Sequence, residues 1–264
     1  MGNPPRVTVL LASRDRLTFL KEAVASALAQ TYPNFEVLIV DDGSAAETTA
    51  WLSSEADRHH NMRVSLQEHR GVGAARAKGV RESAGQIVCI LDSDDLLAPD
   101  ALKLVVEELE KTPKADLVYI DNFYLLPNGR HRERHHPAFR TNRAMIWATL
   151  LYPRVPFKHT GTTYTREVAL AVGSYDPGLP CKVDIDFFLK FLKSERRLRL
   201  LRTPVAVFRV HGRSVSRDRK AGIAAWFQLI DRHGPASSIV RWALKVLRAS
   251  VETLKWVLER LLVR

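Results

Sequence analysis

Short apolar runs alternate with amphipathic stretches through the first half of this 264-residue chain. The runs are rich in Val, Ile and Leu, and the stretches between them carry apolar residues at helical spacing. The pattern predicts strands at 7–11, 36–40, 62–66, 87–90 and 116–120, and helices at 17–30, 47–56, 73–83 and 101–111. Strands that alternate with helices of this size predict an α/β fold with a Rossmann-like, mostly parallel central sheet flanked by helices.

The pattern becomes less regular after Asn122, where a polar, basic run covers 130–136. Helices are predicted at 143–151, 168–172 and 184–194, and a last strand at 205–210 that ends at His211. We therefore expect residues 1–216 to form one domain with a first half at 1–121 and a more variable second half at 122–216. Residues 217–264 are expected to form a basic amphipathic helical tail.

Three carboxylates, those of Asp92, Asp94 and Asp95, follow directly after the apolar run Ile87–Ile90. In an open α/β sheet, ligands bind outside the carboxyl ends of the strands. Crowded carboxylates at that edge are costly unless a cation offsets them, and they suit Mg²⁺ or Mn²⁺. An alternative is that Asp94 or Asp95 caps the helix that begins after Pro99.

The chain has a net charge of +11, and the charge is unevenly distributed. Residues 213–264 contain eleven Lys and Arg but only four Asp and Glu, which favours an anionic partner for this segment. Two cysteines do not make a disulfide framework, so we expect a reducing compartment, and Cys89 is expected to be buried in its strand. No signal peptide or membrane-spanning stretch is expected, which favours a cytoplasmic location.

The C-terminal segment has an apolar repeat with spacings of four and three residues, typical of an amphipathic helix. The repeat consists of Val240, Leu244, Leu247, Val251, Leu254, Leu258 and Leu261. Trp242 and Trp256 flank it, and basic residues follow it. Two interpretations stay open: the helix packs on the domain or forms a homodimer, or residues 239–264 lie on the inner face of the cell membrane.

Several motifs occur in an order that resembles the family 2 glycosyltransferases, which have the GT-A fold. They are Val9–Arg16, Asp41-Asp42-Gly43-Ser44, Gly71–Arg76, Leu91–Asp95, Gly173-Ser174-Tyr175-Asp176 and the segment Val183–Asp186. The resemblance covers roughly residues 5 to 216. It implies an inverting transfer of a sugar from a nucleotide-diphosphate donor, with a UDP-sugar as the default, to an acceptor hydroxyl. Polysaccharide, lipopolysaccharide and other cell-surface glycans are the implied products, with a glycan or lipid-linked acceptor.

The resemblance also implies a set of nucleotide-contacting residues. They are Ala12, Arg14, Asp42, Gly73, Arg76, Asp92 and Ser93. The carboxylate of Asp42 would accept a hydrogen bond from the base, and Arg14 stands where relatives often have an aromatic residue, so its guanidinium would stack on the base. Arg76 would pair with the diphosphate or the base edge. Gly73, like Gly71, would let the backbone approach the nucleotide.

By the same resemblance, Asp94 is the direct ligand of a Mg²⁺ or Mn²⁺ ion. Asp92 would contact the ribose or join the metal site, and His211 would reach the metal or the diphosphate. The implied general base is Asp184, with Asp186 as the second candidate. This chain has Val183 where relatives usually have Glu.

Three other functions fit parts of the sequence. A nucleic-acid-binding protein would explain the basic charge, but no RNA- or DNA-binding motif is present, so we expect no nucleic-acid partner. A sugar-nucleotidyltransferase would share the sheet, but it usually has a Gly-rich basic loop after the first strand, where 12–16 contains no glycine. A protein that binds the donor without catalysis is consistent with Val183.

Overall fold

The computed structural model describes residues 5–152, 155–211 and 219–262. These residues form eleven strands: β1 (Val7–Ser13), β2 (Phe35–Asp42), β3 (Met62–Gln67), β4 (Ile87–Ile90), β5 (Leu96–Leu97), β6 (Leu117–Ile120), β7 (Asn122–Leu125), β8 (His131–Arg134), β9 (Thr163–Thr165), β10 (Leu198–Leu201) and β11 (Ala206–Arg209). The helices are α1 (Leu17–Leu28), α2 (Ala46–Arg58), α3 (Val72–Glu82), α4 (Ala101–Glu110), α5 (Asn142–Leu151), α6 (Arg166–Ala171), α7 (Val183–Lys193), α8 (Arg219–His233) and α9 (Ser238–Leu262).

The main sheet has seven strands in the order β10-β6-β9-β4-β1-β2-β3. Strand β1 lies parallel to both β2 and β4, β2 lies parallel to β3, and β6 lies parallel to β10. The short strand β9 is antiparallel to β4 and to β6. The α/β fold with a mostly parallel sheet is therefore confirmed, but the insertion of β9 makes the sheet mixed. Strand β9 consists of only three residues, Thr163-Tyr164-Thr165, which is too short a pattern for a sequence-based strand prediction.

Both faces of the main sheet are covered by helices, which explains why its central strands, such as β2 and β4, are nearly continuous apolar runs. Leu10 of β1 belongs to one core, whereas its neighbours Val9 and Leu11 belong to the other. Helices α1, α2 and α4 cover the second of these cores, and α3, α5, α7 and α8 cover the first. Cys89 is buried in β4, as predicted, and burial raises the pKa of its thiol to about 11.

A second sheet of four strands has the order β5-β11-β7-β8. Strand β5 follows the carboxylates after β4 and pairs antiparallel with β11, which in turn lies parallel to β7. Strand β11 was predicted from the sequence, but β5, β7 and β8 were not. The basic run at 130–136 was interpreted only as a polar segment, although it contains β8, the edge strand of this sheet.

Helices α5, α6 and α7 confirm the predicted helices of the second half, whereas β10 was missed. Helix α8 lies within the segment that was expected to form a helical tail. The predicted boundary between residues 216 and 217 lies outside the described residues. No helix within the described ranges is both long and apolar enough to cross a bilayer.

Helix α9 confirms the predicted C-terminal amphipathic helix, and its buried side includes a cation. Arg248 is fully buried and donates from Nε to the Leu150 carbonyl (2.8 Å) and from Nη2 to the Thr149 carbonyl. These carbonyls belong to the last turn of α5, where helical partners are lacking. The guanidinium also lies 3.7 Å from the centroid of the Trp226 ring of α8. Burial lowers the pKa of Arg248 to about 10, but the side chain stays cationic and fixes α9 on the domain.

The predicted apolar repeat of α9 divides between two environments. Leu244 is buried, whereas Val240, Leu247 and Leu254 are exposed. Leu258 and Leu261 lie outside the described side chains. The repeat therefore does not form a single buried seam, because Leu244 and Arg248 make the contact with the domain.

Candidate functional site

The sequence-predicted site residues converge at the carboxyl edge of the main sheet. Because β1 lies parallel to β2 and β4, the segments that follow these strands emerge on the same side. They carry Arg14, Asp42 and the residues 92–95, which we call the acid loop. This arrangement brings together residues that lie far apart in the sequence.

The Asp42 carboxylate accepts four hydrogen bonds within the protein. Its Oδ1 accepts from the Gln67 side chain (2.7 Å) and the Arg70 backbone N–H (2.8 Å). Its Oδ2 accepts from His69 Nδ1 (2.8 Å) and the Gly71 backbone N–H (2.9 Å). Burial opposes ionisation, but these donors outweigh it and lower the pKa of Asp42. A base N–H would therefore have to share or replace one of the two side-chain donors.

Arg14 is connected to Asp42 through His69, which the sequence analysis did not identify. The Nη1 of Arg14 lies 2.8 Å from His69 Nε2, and an arginine can only donate. His69 Nε2 must then accept, so Nδ1 carries the proton that is donated to Asp42. His69 lies two residues before Gly71, so the motif offered a positional signal for it.

Arg76 of α3 reaches the acid loop, with its Nη2 2.5 Å from Asp92 Oδ1. Burial lowers the pKa of Arg76, but Asp92 and further anionic groups outweigh it and the net shift is upward. Burial likewise acts to raise the pKa of Asp92, but Arg76 and His159 hold it well below its usual range. Asp92 therefore stays ionised, and its strongest partner is an arginine.

His159 is a second residue that sequence reasoning missed. Its Nδ1 lies 3.4 Å from Asp92 Oδ1, and its Nε2 lies 2.8 Å from the Tyr175 hydroxyl. The Tyr175 hydroxyl lies in turn 3.1 Å from that of Tyr164. Burial and the charge of Arg76 lower the pKa of His159. The residue that contacts the Asp92 carboxylate is therefore a neutral imidazole.

Asp94 has different partners from Asp92. Its Oδ2 lies 2.7 Å from Arg16 Nη1 and 2.9 Å from His211 Nε2. The His211 ring stacks on Phe19, with centroids 4.9 Å apart and planes at 24°. The predicted approach of His211 to Asp94 therefore occurs, and it depends on the pairing of β11 with β5.

Asp95 is a structural residue of the acid loop. Its Oδ1 accepts from the Arg209 backbone N–H (2.8 Å), and its Oδ2 accepts from the Thr160 hydroxyl (2.5 Å). Burial and the neighbouring charges of Asp92 and Asp94 raise the pKa of Asp95. The alternative that Asp94 or Asp95 caps α4 does not hold, because Asp100 occupies the N-cap position of that helix.

The two candidate bases lie in different environments. Asp184, in the first turn of α7, is half-buried and close enough to Arg76, His159 and Tyr175 to act on them electrostatically. Its carboxylate makes no hydrogen bond or ion pair within the described residues.

Asp186 is fully buried, accepts from His233 Nε2 (2.8 Å) and lies 2.8 Å from Lys190 Nζ. Burial acts to raise the pKa of Asp186, but His233 and Lys190 lower it. Asp186 joins α7 to α8, so the second candidate base is placed away from the acid loop.

Gly73 and Val183 bring α3 and α7 together beside the site. A Cβ on Gly73 would lie 2.5 Å from the Asp176 carbonyl oxygen and 3.1 Å from Val183 Cγ1. Val183 is buried in the core at that contact. The absence of a side chain at Gly73 thus also serves the protein's own packing, since the backbone of Asp176 lies where a Cβ would be. Val183 stands in an apolar contact that a Glu would not tolerate without a partner.

Ala12 and Ser93 lie at the ends of β1 and β4, beside the residues above, and both side chains are half-buried. A separate groove with a volume of about 930 Å³ runs along the edge strand β10. Its lining includes Arg140, Arg143, Arg196 and Arg197 but none of the predicted site residues.

This edge of the sheet offers few donor groups for a metal ion. Within the described residues, no group of three or more His, Cys, Asp or Glu side chains is arranged to hold a metal ion. Asp94 and His211 offer one carboxylate oxygen and one imidazole nitrogen at 2.9 Å from each other. A magnesium or manganese ion commonly takes one or two protein ligands and completes its shell with substrate phosphates. The pair fits an ion that arrives with a diphosphate, not an ion held by protein alone.

The sheet order, the acid loop and the second sheet define the GT-A glycosyltransferase fold. Over 93% of this chain, the fold superposes with a TM-score of 0.69 on 71% of S. aureus TarS in complex with UDP-GlcNAc, at 18% identity. Over 94% of this chain, it superposes with a TM-score of 0.63 on 70% of the mannosyltransferase PcManGT from Pyrobaculum calidifontis, solved with GDP-Man and Mn²⁺, at 21% identity. Identities this low establish the fold alone.

Sequence comparison gives the family. The model of Glycosyl transferase family 2 matches residues 8–173, and the chain belongs to this family. The chain is 35% identical to the chondroitin synthase of Escherichia coli over 118 residues. That match covers 45% of this chain but only 17% of the synthase, so the chain spans a small part of this relative.

The contact at Gly73 predicts the effect of a single methyl group. Gly73→Ala should lower the free energy of unfolding by about 1–3 kcal/mol, because the Cβ must push the Asp176 backbone or Val183 away. The matched control is Gly222→Ala in α8, where a Cβ meets only the end of Lys182 at 3.9 Å and should be neutral or stabilising. Urea unfolding of both variants measures the difference. Equal stabilities of the two variants would contradict the close contact.

Proposed function

We propose that this protein transfers a sugar from a nucleoside-diphosphate donor, a UDP-sugar, to an acceptor hydroxyl with inversion at the anomeric carbon. The observation that carries the proposal is Asp184, beside Arg76 at the carboxyl edge of the sheet. Its carboxylate has no hydrogen-bond or ion-pair partner among the residues that the structure describes. The named ligands of the structural neighbours, UDP-GlcNAc and GDP-Man, support a nucleotide-sugar donor. The chondroitin synthase relative supports a role in polysaccharide or other cell-surface glycan synthesis.

The donor half of the reaction rests on fixed charges. Arg76 would bind the diphosphate through its planar fork, and Asp92 holds that guanidinium in place. Asp42 and His69 would read the polar edge of the base. A Mg²⁺ or Mn²⁺ ion held by Asp94 and His211, with Asp92 nearby, would supply charge neutralisation for the leaving diphosphate.

The acceptor half of the reaction requires a base. Asp184 would take the proton from the acceptor hydroxyl, whose oxygen forms a bond to the anomeric carbon as the bond from that carbon to the diphosphate breaks. The nucleoside diphosphate leaves with the electron pair of the broken bond. A single displacement of this kind inverts the configuration of the anomeric carbon.

A second candidate function is donor binding without transfer. The observation that favours it is Val183, which occupies the position of the usual Glu and gives Asp184 no neighbouring carboxylate. Release of pyrophosphate instead of nucleoside diphosphate would identify a third candidate, a sugar-nucleotidyltransferase.

Donor binding predicts a metal-dependent thermal shift. UDP, GDP, dTDP and CMP are each added with and without Mn²⁺, and one nucleotide should stabilise the protein by about 2.7 kcal/mol at 100 times its Kd. Asp94→Ala should lose the Mn²⁺-dependent part of the shift, because it removes a metal-facing carboxylate. No shift with any nucleotide would reject the donor site, and an unchanged Mn²⁺ effect in Asp94→Ala would reject the metal role of Asp94.

General-base catalysis predicts a selective loss of turnover. Asp184→Asn should lower kcat by about 10²–10⁴-fold and leave the Kd of the donor nucleotide unchanged, because the amide cannot accept the proton. Asp186→Asn is the matched control, and it should lower stability instead, since it weakens the buried contact with His233 and Lys190.

Full activity of Asp184→Asn would assign the base elsewhere. Wild-type protein that binds the nucleotide but transfers to no acceptor would support the donor-binding alternative.

We also propose that α9 lies on the surface of an anionic membrane. Among the side chains of α9 that the structure describes, those up to Leu254, six large apolar ones are exposed, which is an extensive patch for one helix. They are Ile239 (76% exposed), Trp242 (67%), Leu254 (59%), Val246 (46%), Leu247 (40%) and Val240 (39%). The excess of basic residues in 213–264 matches the charge of anionic headgroups, which favours a lipid surface over a second copy of the same basic chain.

Vesicle co-sedimentation tests this membrane contact. The protein should bind vesicles of phosphatidylcholine with phosphatidylglycerol, and Leu247→Glu should lower the bound fraction about tenfold because it adds a charge to the apolar face. Leu170→Glu is the matched control, since Leu170 on α6 is equally exposed (37%) but lies elsewhere. If the wild-type protein does not bind vesicles but is a dimer, and the Leu247→Glu variant is a monomer, the exposed face of α9 serves self-association instead.

A further inference from the structure

Four side chains of the second sheet and its neighbouring segment form a group that the donor site does not use. We call Tyr124, Arg134, Lys158 and Phe208 the cation–aromatic cluster. Tyr124 of β7 and Phe208 of β11 are register partners, and their ring centroids lie 5.1 Å apart. Lys158 Nζ lies 3.8 Å from the Phe208 centroid and 5.7 Å from that of Tyr124. The Arg134 guanidinium lies 5.6 Å from the Tyr124 centroid and donates to its hydroxyl (2.9 Å).

The rings position the two cations without neutralising them. Neither Lys158 nor Arg134 has a carboxylate partner within the described residues, and the nearby Glu133 pairs with His135 instead. A cation on an aromatic face keeps its full charge, whereas a salt bridge would cancel it. The neighbouring His136 responds to the positive charge of the cluster. Its pKa is lowered to about 4, first by burial, then by the charge of Arg134, and Lys158 lowers it further.

The cluster is attached to both segments that contact the acid loop. Lys158 precedes His159, which contacts Asp92, and Phe208 precedes Arg209, whose backbone N–H donates to Asp95. Consecutive Cα atoms are about 3.8 Å apart, so the backbone of Lys158 and that of Phe208 lie next to the residues that contact the acid loop. The cluster thus combines positive charge that no carboxylate of the described residues offsets with a direct backbone connection to the acid loop.

We propose that the cation–aromatic cluster is an acceptor subsite for a glycan that carries an anionic group, a carboxylate or a phosphate. This inference rests on the proposed function, since it assigns the acceptor side of the same reaction. Lys158 and Arg134 bind the anionic group, and Tyr124 and Phe208 hold the two cations in place. A nucleic acid is disfavoured, because such ligands stack bases on open ring faces, whereas here cations lie over the rings.

The test measures ligand binding to the full chain with its donor site filled by the nucleotide that stabilises it. The probes are a hyaluronan hexasaccharide, which carries carboxylates, mannose 6-phosphate, which carries a phosphate, and chitohexaose, which is neutral. Wild-type protein should bind at least one anionic probe in a salt-dependent manner and bind chitohexaose more weakly. The carboxylate and phosphate arms identify which anionic group the subsite prefers.

Two variants remove the cations with little change in volume. Lys158→Met and Arg134→Gln should each weaken the anionic probe at least about tenfold, because a charged hydrogen bond is lost. Nucleotide binding should stay unchanged in both. Lys21→Met is the matched control, since Lys21 also lies over an aromatic ring, that of Trp51 at 5.8 Å, but on α1.

The arginine-lined groove along β10 is the competing anion site, and Arg143→Gln tests it. Loss of probe binding in Arg143→Gln but not in Lys158→Met would overturn the proposal in favour of that groove. Wild-type protein that binds nucleotide but none of the anionic probes would also overturn it, as would a single-stranded oligonucleotide that binds through Lys158 when the glycans do not. Failure to bind any nucleotide would instead reject the proposed function itself.

Discussion

The crowding of negative charge after β4 is the constraint on which the rest of the site depends. Three carboxylates emerge within four residues, and the protein stabilises each in a different way. Asp92 pairs with Arg76 of α3, Asp94 lies between Arg16 and His211, and Asp95 is held by the Thr160 hydroxyl and a backbone N–H of β11. Isolated carboxylates at this depth would be unfavourable. The segments that carry these partner groups are therefore bound to the acid loop. The same contacts that stabilise the three acids bring the residues of the site together.

The acid loop also explains why the small second sheet stands beside the main one. Asp95 accepts the Arg209 backbone N–H, and β5, which follows the loop directly, pairs with β11. His211 reaches Asp94 only because β11 ends at this point. A polar interaction at the loop and a two-residue strand pairing thus fix the last residue of the site. The same strand carries Phe208, which links the cation–aromatic cluster to the acid loop.

A comparison of Asp42 with Asp184 shows how much of the site was readable from the sequence. Both residues were identified by motif, and the structure brings the segments that carry them to the same edge of the sheet. The motif did not indicate that Asp42 is already saturated by four donors, including His69. Nor did it separate Asp184 from Asp186, which differ by two residues. Residues two positions apart on a helix point about 200° away from each other, so Asp184 faces the acid loop and Asp186 faces α8. Which is which depends on the helices packed around α7.

The sequence by itself determined the alternation of strands and helices, the edge at which the acids emerge, and the amphipathic character of α9. These features are periodic and local, so neighbouring residues are enough to define them. Only the tertiary structure decided the antiparallel insertion of β9, the second sheet, and the partner of each carboxylate. Strand pairs and buried ion pairs join residues far apart in the chain, such as Asp94 and His211, and their formation depends on the packing of the whole domain. The side of α9 that remains exposed was settled in the same way, by the buried contact of Arg248 with the last turn of α5.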